Sequence, residues 1–433
     1  MPLITIRTGN VSRKNIIITG SGSIEFLSVG AARDFNMKKV IVSEPNMKWI
    51  MITKKYNVIL LYVLAFLYWF SLYVYTPIFS PYVVSQGASL KMAGLIFGSY
   101  GFTQMLLRIP IGIFSDRIKT RKLIIIIGLL LCLVSSLGLW YYDNIIMILF
   151  FRCLSGIAAA TWVTFNVLLF SYFEREKTSA AISFLHSIGK LGVTFSMFFG
   201  GLAASKMGLK STFFLAAIAA MLALLLSVGI NEKKENSLRF LKREQPISIV
   251  KNISLLLVSI LVIITTVISF GAIFSFVPIV AKNMGANNFQ LGILATSFAL
   301  AGVIATSLSV VFFLNKIGER NTIILGFLAI TVSCIIVPYI KNIAILYITP
   351  IICGFGNSLI ITLLMVRIIK KVPENIQGTT LGFFQAVSGL GMFVGPVFMG
   401  FLSELVGLSW GFWITGSVGC LGIIITKYFI GND

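Results

Sequence analysis

The chain has 433 residues, 57% hydrophobic and 11% charged, with a formal net charge of +21. A soluble globular domain carries about 25% charged residues, so a water-soluble enzyme is excluded. Apolar runs of about 20 residues, enough to cross roughly 30 Å of hydrocarbon, recur from Asn57 to Ile430. The positive charge does not read as a nucleic-acid surface, because it falls mainly in short segments between those runs.

Residues 1–50 mix polar and apolar residues and show no basic-then-apolar pattern ending in a small-residue cleavage site. They read as a cytoplasmic tail or, with Met47 or Met51 as the start, as a mis-called extension. Apolar runs bounded by charge, Gly or Pro then predict helices over 57–78, 91–114, 122–141, 144–171, 178–204 and 211–230. A polar stretch, NEKKENSLRFLKREQP (231–246), separates them from helices over 253–278, 289–314, 321–340, 343–370, 377–403 and 409–430. The expected organisation is a six-helix bundle over 51–230, a linker over 231–252 and a second six-helix bundle over 253–433. The fold class is an all-α polytopic membrane protein.

The loops orient it. Seventeen Lys and Arg, from Arg117 to Lys371, fall in the segments after the second, fourth, sixth, eighth and tenth helices. The other side has five: Lys91, Lys206, Lys210, Lys282 and Lys341. Positive charge marks the cytoplasmic side, so both termini and the linker are expected there. The five cysteines all lie in apolar runs without metal-ligand spacing, so neither a metal site nor a cofactor is expected.

Sliding the chain by 199 positions exposes an internal repeat. FLHSIGKLGVTFSMFFGGLAASKMGLKSTFF (184–214) lies over FFQAVSGLGMFVGPVFMGFLSELVGLSWGFW (383–413), with Gly192/Gly391, Gly201/Gly400 and Gly208/Gly407 among the identical pairs. SDRIKTR (115–121) falls on LNKIGER (314–320), and TPI (76–78) meets VPI (277–279) at a shift of 201. Two pseudo-symmetric halves in parallel orientation, with a site near the midplane between them, are the layout of alternating-access transporters.

The segment GIFSDRIKTRK (112–122) has a Gly, three residues, Asp-Arg and a basic turn. RCLSGIAAA (152–160) has an intramembrane Arg followed four residues later by Gly, and GMFVGPVFMG (391–400) carries Gly-Pro. With these motifs the chain resembles the major facilitator superfamily over residues 51–430. The resemblance implies a cytoplasmic latch made by Gly112, Asp116, Arg117 and Arg121, with helices 1, 4, 7 and 10 around the pathway. Lys119 stands where the family has Gly, and Asn315 stands where the second half would repeat Asp116, so a weaker second latch is expected. Helix 5 has Ser196-Met197 where drug antiporters of the family carry Gly-Pro, which weakens a drug-efflux reading.

An ionisable group at mid-bilayer is costly and is a functional candidate by default. All fourteen acids lie in tails, loops or helix ends. Four bases lie within spans: Arg108, Arg152, His186 and Lys190. Arg108 is near a helix end and reads as structural, its head snorkelling to the cytoplasm. Lys190 lies roughly 18 Å and Arg152 roughly 12 Å along their helices, both near the centre. Without an acid, each needs water, carbonyls or an anion from outside the protein. His186, the single histidine, shares a helix face with Lys190 at i and i+4. It either titrates and couples a proton or stays neutral and bonded to a neighbouring helix.

The candidate substrate-binding residues are Arg152, Lys190 and His186 with Tyr68, Trp69, Tyr73, Trp162, Asn166, Asn357, Thr362 and Gln385. The expected function is secondary active transport of a small organic anion, a carboxylate or phosphate ester, across the cell membrane. No GxxxxGK[ST] motif occurs, so a solute or ion gradient, of protons or another ion, is expected to drive it. The alternatives are drug or metabolite efflux and, further off, a membrane sensor without flux.

Overall fold

A computed structural model describes residues 4–6, 14–18, 24–28, 44–118, 120–173, 175–232, 253–371 and 377–430. Contacts divide the chain into residues 1–59 and 60–433. The first unit contains a small antiparallel meander, β1 (Ile4–Ile6), β2 (Lys14–Ile18) and β3 (Ile24–Ser28), in the order β1-β2-β3.

Among the described residues ten helices are long and apolar enough to span: α1 (Lys55–Ser85), α3 (Arg121–Tyr141), α4 (Ile145–Tyr172), α5 (Ala180–Met207), α7 (Leu255–Asn283), α8 (Asn288–Leu308), α9 (Phe312–Tyr339), α10 (Ile343–Ile369), α11 (Gly382–Val406) and α12 (Leu408–Phe429). Leu90–Ile118 (α2) and the 17-residue Ser211–Ser227 (α6) complete the two sets of six. The backbone of each helix satisfies its own polar groups, which is what permits it to lie in lipid.

Equivalent devices start and stop the helices in the two halves. The Asn144 side chain accepts from the N–H groups of Ile146 and Met147, and Asn342 does the same for Ala344, so matching N-caps open α4 and α10. The α5–α6 turn is made at Gly208 with φ +85°, and the α11–α12 turn at Gly407 with φ +91°, a conformation that excludes most side chains. Pro77 and Pro278 each occupy the first turn of a helical segment, where a missing N–H costs nothing. Breaks fall in α1 at Val74–Tyr75, α4 at Thr161, α10 at Tyr347 and α7 in a π-helical stretch over Ser269–Phe276, and also in a second π-helical stretch over Ser309–Leu314 and within α9 at Gly318 and Val337–Tyr339.

Two contacts between the halves dominate, α2 on α11 and α5 on α8, and both are made where side chains are missing. A Cβ on Gly201 would lie 2.5 Å from the Gly292 Cα, and one on Gly400 would lie 2.6 Å from the Leu90 carbonyl oxygen and 3.2 Å from the Gly94 Cα. The repeat pair Gly201/Gly400 thus closes the two equivalent interfaces. Asn288 donates to the Ala204 carbonyl (3.0 Å), and the Glu404 carboxylate accepts from the Lys91 N–H (2.9 Å). These approaches lie at the end away from the α6–α7 linker. Toward the linker they reach Gly389, whose Cβ would meet Met105 at 3.1 Å, level in the repeat with Lys190. Further along α2, a side chain at Gly112 would meet nothing within 4 Å.

At the linker end the described ties lie within each half. The Glu232 carboxylate accepts from the N–H groups of Arg121 (2.9 Å) and Lys122 (3.0 Å), capping α3, and Lys122 Nζ donates to the Val228 carbonyl (2.6 Å). The side chains of Asp116 and Arg117 lie outside the described residues. In the second half Asn315 stands at the repeat position of Asp116. The acid stands at Glu319 and forms a 2.9 Å ion pair with Arg367 of α10, the two being 19% and 8% exposed. Gly318, the position of Lys119 in the repeat, supplies the turn with φ +78°.

At the far end, Lys210 and Tyr82 hold the Asp143 carboxylate at 2.7 and 2.9 Å. These two bonds keep its carboxyl below the ordinary carboxylate range. A carboxyl depressed on folding adds stability above its unfolded pKa and loses it as pH falls through the folded one. The stability gap between wild type and Asp143→Asn, measured by thermal unfolding in detergent, is therefore expected at neutral pH and closes in acid below the carboxylate range. Gly201→Val is expected to force α5 and α8 apart, lengthening the distance between spin labels on their far ends in pulsed electron resonance.

Candidate functional site

Between the halves lies a cavity of about 300 Å³. From the N-terminal half it is lined by Trp69, Tyr73, Trp162, His186, Gly189, Lys190, Val193, Thr194 and Met197. The C-terminal half contributes Phe270, Phe274, Phe298, Ala299, Gly302, Val303, Asn357, Ser358, Ile361 and Thr362. Among the described residues no Asp or Glu lines it. Its size and its mostly apolar wall with a few polar groups are those of a small-molecule site.

Lys190 projects into this space from α5. Its Nζ lies 3.5 Å from Thr306 Oγ1 on α8, across the gap between the halves. No charge partner approaches it among the described residues, so its ammonium faces the cavity. One turn earlier, His186 Nε2 is 3.1 Å from Asn166 Oδ1 on α4, and the ring stands edge-on to Trp162 at 5.6 Å. The Asn166 amide nitrogen donates to the Trp162 carbonyl (3.2 Å), which leaves its oxygen as acceptor. The network therefore places a proton on His186 Nε2, which donates to Asn166 Oδ1.

Glycine shapes the wall behind them. A Cβ on Gly189 would sit 2.8 Å from Trp69 Cδ1 and 3.0 Å from its Nε1, so only Gly lets the indole come this close to α5. Trp69 meets Trp162 at 5.1 Å and Tyr73 at 5.7 Å, giving a continuous aromatic surface on the N-terminal side. Opposite, Phe274 meets Phe270 at 5.2 Å and Phe298 at 4.5 Å. Phe270 and Phe274 belong to the π-helical turn of α7, a distortion that recurs at functional sites. Asn357 Oδ1 accepts from Ser269 (3.0 Å) at the edge of the same turn.

Of the residues singled out from sequence, Lys190, His186, Trp69, Tyr73, Trp162, Asn357 and Thr362 line the cavity. Asn166 stands behind His186 as its partner. Tyr68 is fully buried and donates to the Ala158 carbonyl (2.7 Å), bracing Trp162 from behind with rings stacked at 5.9 Å. Gln385 is half-buried on α11 and away from the cavity wall.

Arg152 also lies outside the wall. It is 3% exposed, its guanidinium among the rings of Tyr75, Phe79, Phe97 and Tyr100 at 5.5, 4.8, 5.3 and 4.6 Å, with Nη1 donating to Tyr75 Oη at 3.1 Å. Ring faces supply the negative potential that water, carbonyls or an anion were expected to supply. Arg108 does not snorkel either: it is 6% exposed, with Nη2 3.5 Å from the Ala159 carbonyl. Sequence reading missed the phenyl wall; the π-helical turn that aims it has no signature among 36 phenylalanines.

Twelve spans in two pseudo-symmetric bundles around an intramembrane cavity make this chain a transporter of the alternating-access architecture. It belongs to the Major Facilitator Superfamily, whose family profile matches it twice, over residues 61–279 and 259–433. An MFS-type transporter of Methanocaldococcus jannaschii is 24% identical over 372 residues, covering 82% of this chain and 92% of that protein. The multidrug resistance protein MdtG of a Rahnella species is 23% identical over 389 residues, 87% of this chain and 94% of that one. A bacterial homologue of the human lysosomal transporter Spinster, solved inward-facing and unoccupied, superposes with a TM-score of 0.73 at 16% identity, covering 89% of this chain and 97% of that one.

Because Arg152 is held by rings outside the cavity, Arg152→Leu is expected to lower thermal stability by about 2 kcal/mol. It should change ligand affinity at the cavity less than twofold in equilibrium binding.

Proposed function

We propose that the chain moves a small organic anion, a carboxylate or phosphate ester, across the cell membrane by rocking its two halves around the cavity. The observation that carries this reading is the Lys190 ammonium turned into an apolar space that no described acid lines. In a low-dielectric site an unneutralised cation attracts an anion and repels a cation far more strongly than in water. Both termini and the linker lie on the cytoplasmic side in this proposal, supported by the bias of seventeen bases to five. The far-end closure then leaves the cavity to be reached from the cytoplasm. A gradient of protons or another ion supplies the energy.

Efflux of drugs is the second reading. It is favoured by the extent of the aromatic wall and by the name of the Rahnella relative, which matches most of the chain.

Counterflow in proteoliposomes, screened with carboxylates, phosphate esters and cationic dyes, separates the two. Saturable exchange of an anion is expected, with Lys190→Gln slowing it at least about tenfold, the loss of a charge-assisted contact of roughly 1.5 kcal/mol or more. Saturable dye exchange that no anion competes with would establish the second reading instead.

A further inference from the structure

The cavity has an ionic pole and two apolar walls, and each half of the protein supplies one of the walls. On the N-terminal side stand Trp69 and Trp162, backed by buried Tyr68; on the C-terminal side stand Phe270, Phe274 and Phe298. The positive group, Lys190, projects from the N-terminal side beside the indoles. We infer that the substrate is a planar aromatic acid, its ring held between the two walls and its acid group on Lys190; this rests on the anion reading above.

The chemistry of the walls discriminates among anions. A small anion without an apolar body would satisfy Lys190 but leave uncovered the parts of the walls that face the cavity, chiefly the half-buried rings of Trp69 and Phe270. An aliphatic acid buries area against those rings in proportion to its size. An aromatic acid buries the same area and adds the offset-stacked and edge-to-face contacts that rings make with one another. The wall rings are already braced at centroid distances of 4.5–5.9 Å, so a planar ligand meets surfaces whose orientation is fixed beforehand. An aromatic cation would meet the same rings, but with the Lys190 charge against it.

The matched pair 2-naphthoate and decahydro-2-naphthoate shares charge and carbon skeleton and differs only in aromaticity. Binding is measured by isothermal titration calorimetry to the full chain in nanodiscs, with empty nanodiscs subtracted. The aromatic acid is expected to bind about tenfold tighter. In Phe270→Leu, which keeps apolar bulk and removes one ring, that ratio should fall at least threefold while the affinity of the saturated acid changes less than twofold; Phe298→Leu serves where the first variant does not fold. Equal affinity for the two acids, or binding of neither, overturns the inference, and transport of a non-aromatic anion would then leave the anion reading standing. Naphthoate binding unaffected by Lys190→Gln, or equally tight binding of 2-naphthylmethylammonium, overturns the anion reading itself.

Discussion

Backbone against backbone between the two halves is the constraint on which the rest of this structure depends. Gly201 on Gly292 and Gly400 on Gly94 bring α5 to α8 and α11 to α2 without intervening side chains. Helices in lipid gain no hydrophobic drive from pairing, so close packing of small residues has to supply the attraction. These two seams leave other helices of the two halves apart, and the cavity lies between them, from the level of His186 to that of Met197 on α5. Breaks in α1, α4 and α7 lie beside or within its lining, at Tyr73, Trp162, Phe270 and Phe274. A membrane-spanning helix can tolerate such breaks only where protein or a cavity, not lipid, faces the freed backbone.

Three cations within the spans of the N-terminal half find three different solutions, two of them buried and the third open to the cavity. Arg152 uses ring faces, Arg108 uses the Ala159 carbonyl, and Lys190 uses neither. The contrast gives Lys190 its significance: the fold provides partners for the two guanidinium groups and leaves the ammonium to the cavity. His186 adds a polar edge whose Nε2 carries a proton, because Asn166 is itself fixed by the Trp162 carbonyl.

Much of this was legible in the sequence, for identifiable reasons. Ten of the twelve spans follow from hydropathy and length alone, and the repeat between the halves places the other two, α2 and α6. The repeat was visible because its shared residues are those at which geometry leaves no freedom: Gly208 and Gly407 at positive φ, and Gly201 and Gly400 at the interfaces. Lys190, His186 and Trp162 stood out because charge and indole are rare in mid-membrane. The cage around Arg152 was not legible, since Tyr75, Phe79, Phe97 and Tyr100 come from α1 and α2, and no local pattern links them to α4. The Arg367–Glu319 pair was missed because the acid had moved four residues from the position where the repeat would put it. The phenyl wall was missed because its direction is set by a π-helical turn, which shifts hydrogen bonding to i→i+5 and rotates every side chain after it.

Glu404 closes the far end partly through main chain, by accepting from the N–H of Lys91 beside the hydroxyl of Ser89. The main-chain part of this lock is indifferent to the side chain at residue 91. Replacing Lys91 with any residue except proline leaves that donor in place. Mutational drift around residue 91 can therefore retune the charge of that rim while the seam between the halves keeps its strength.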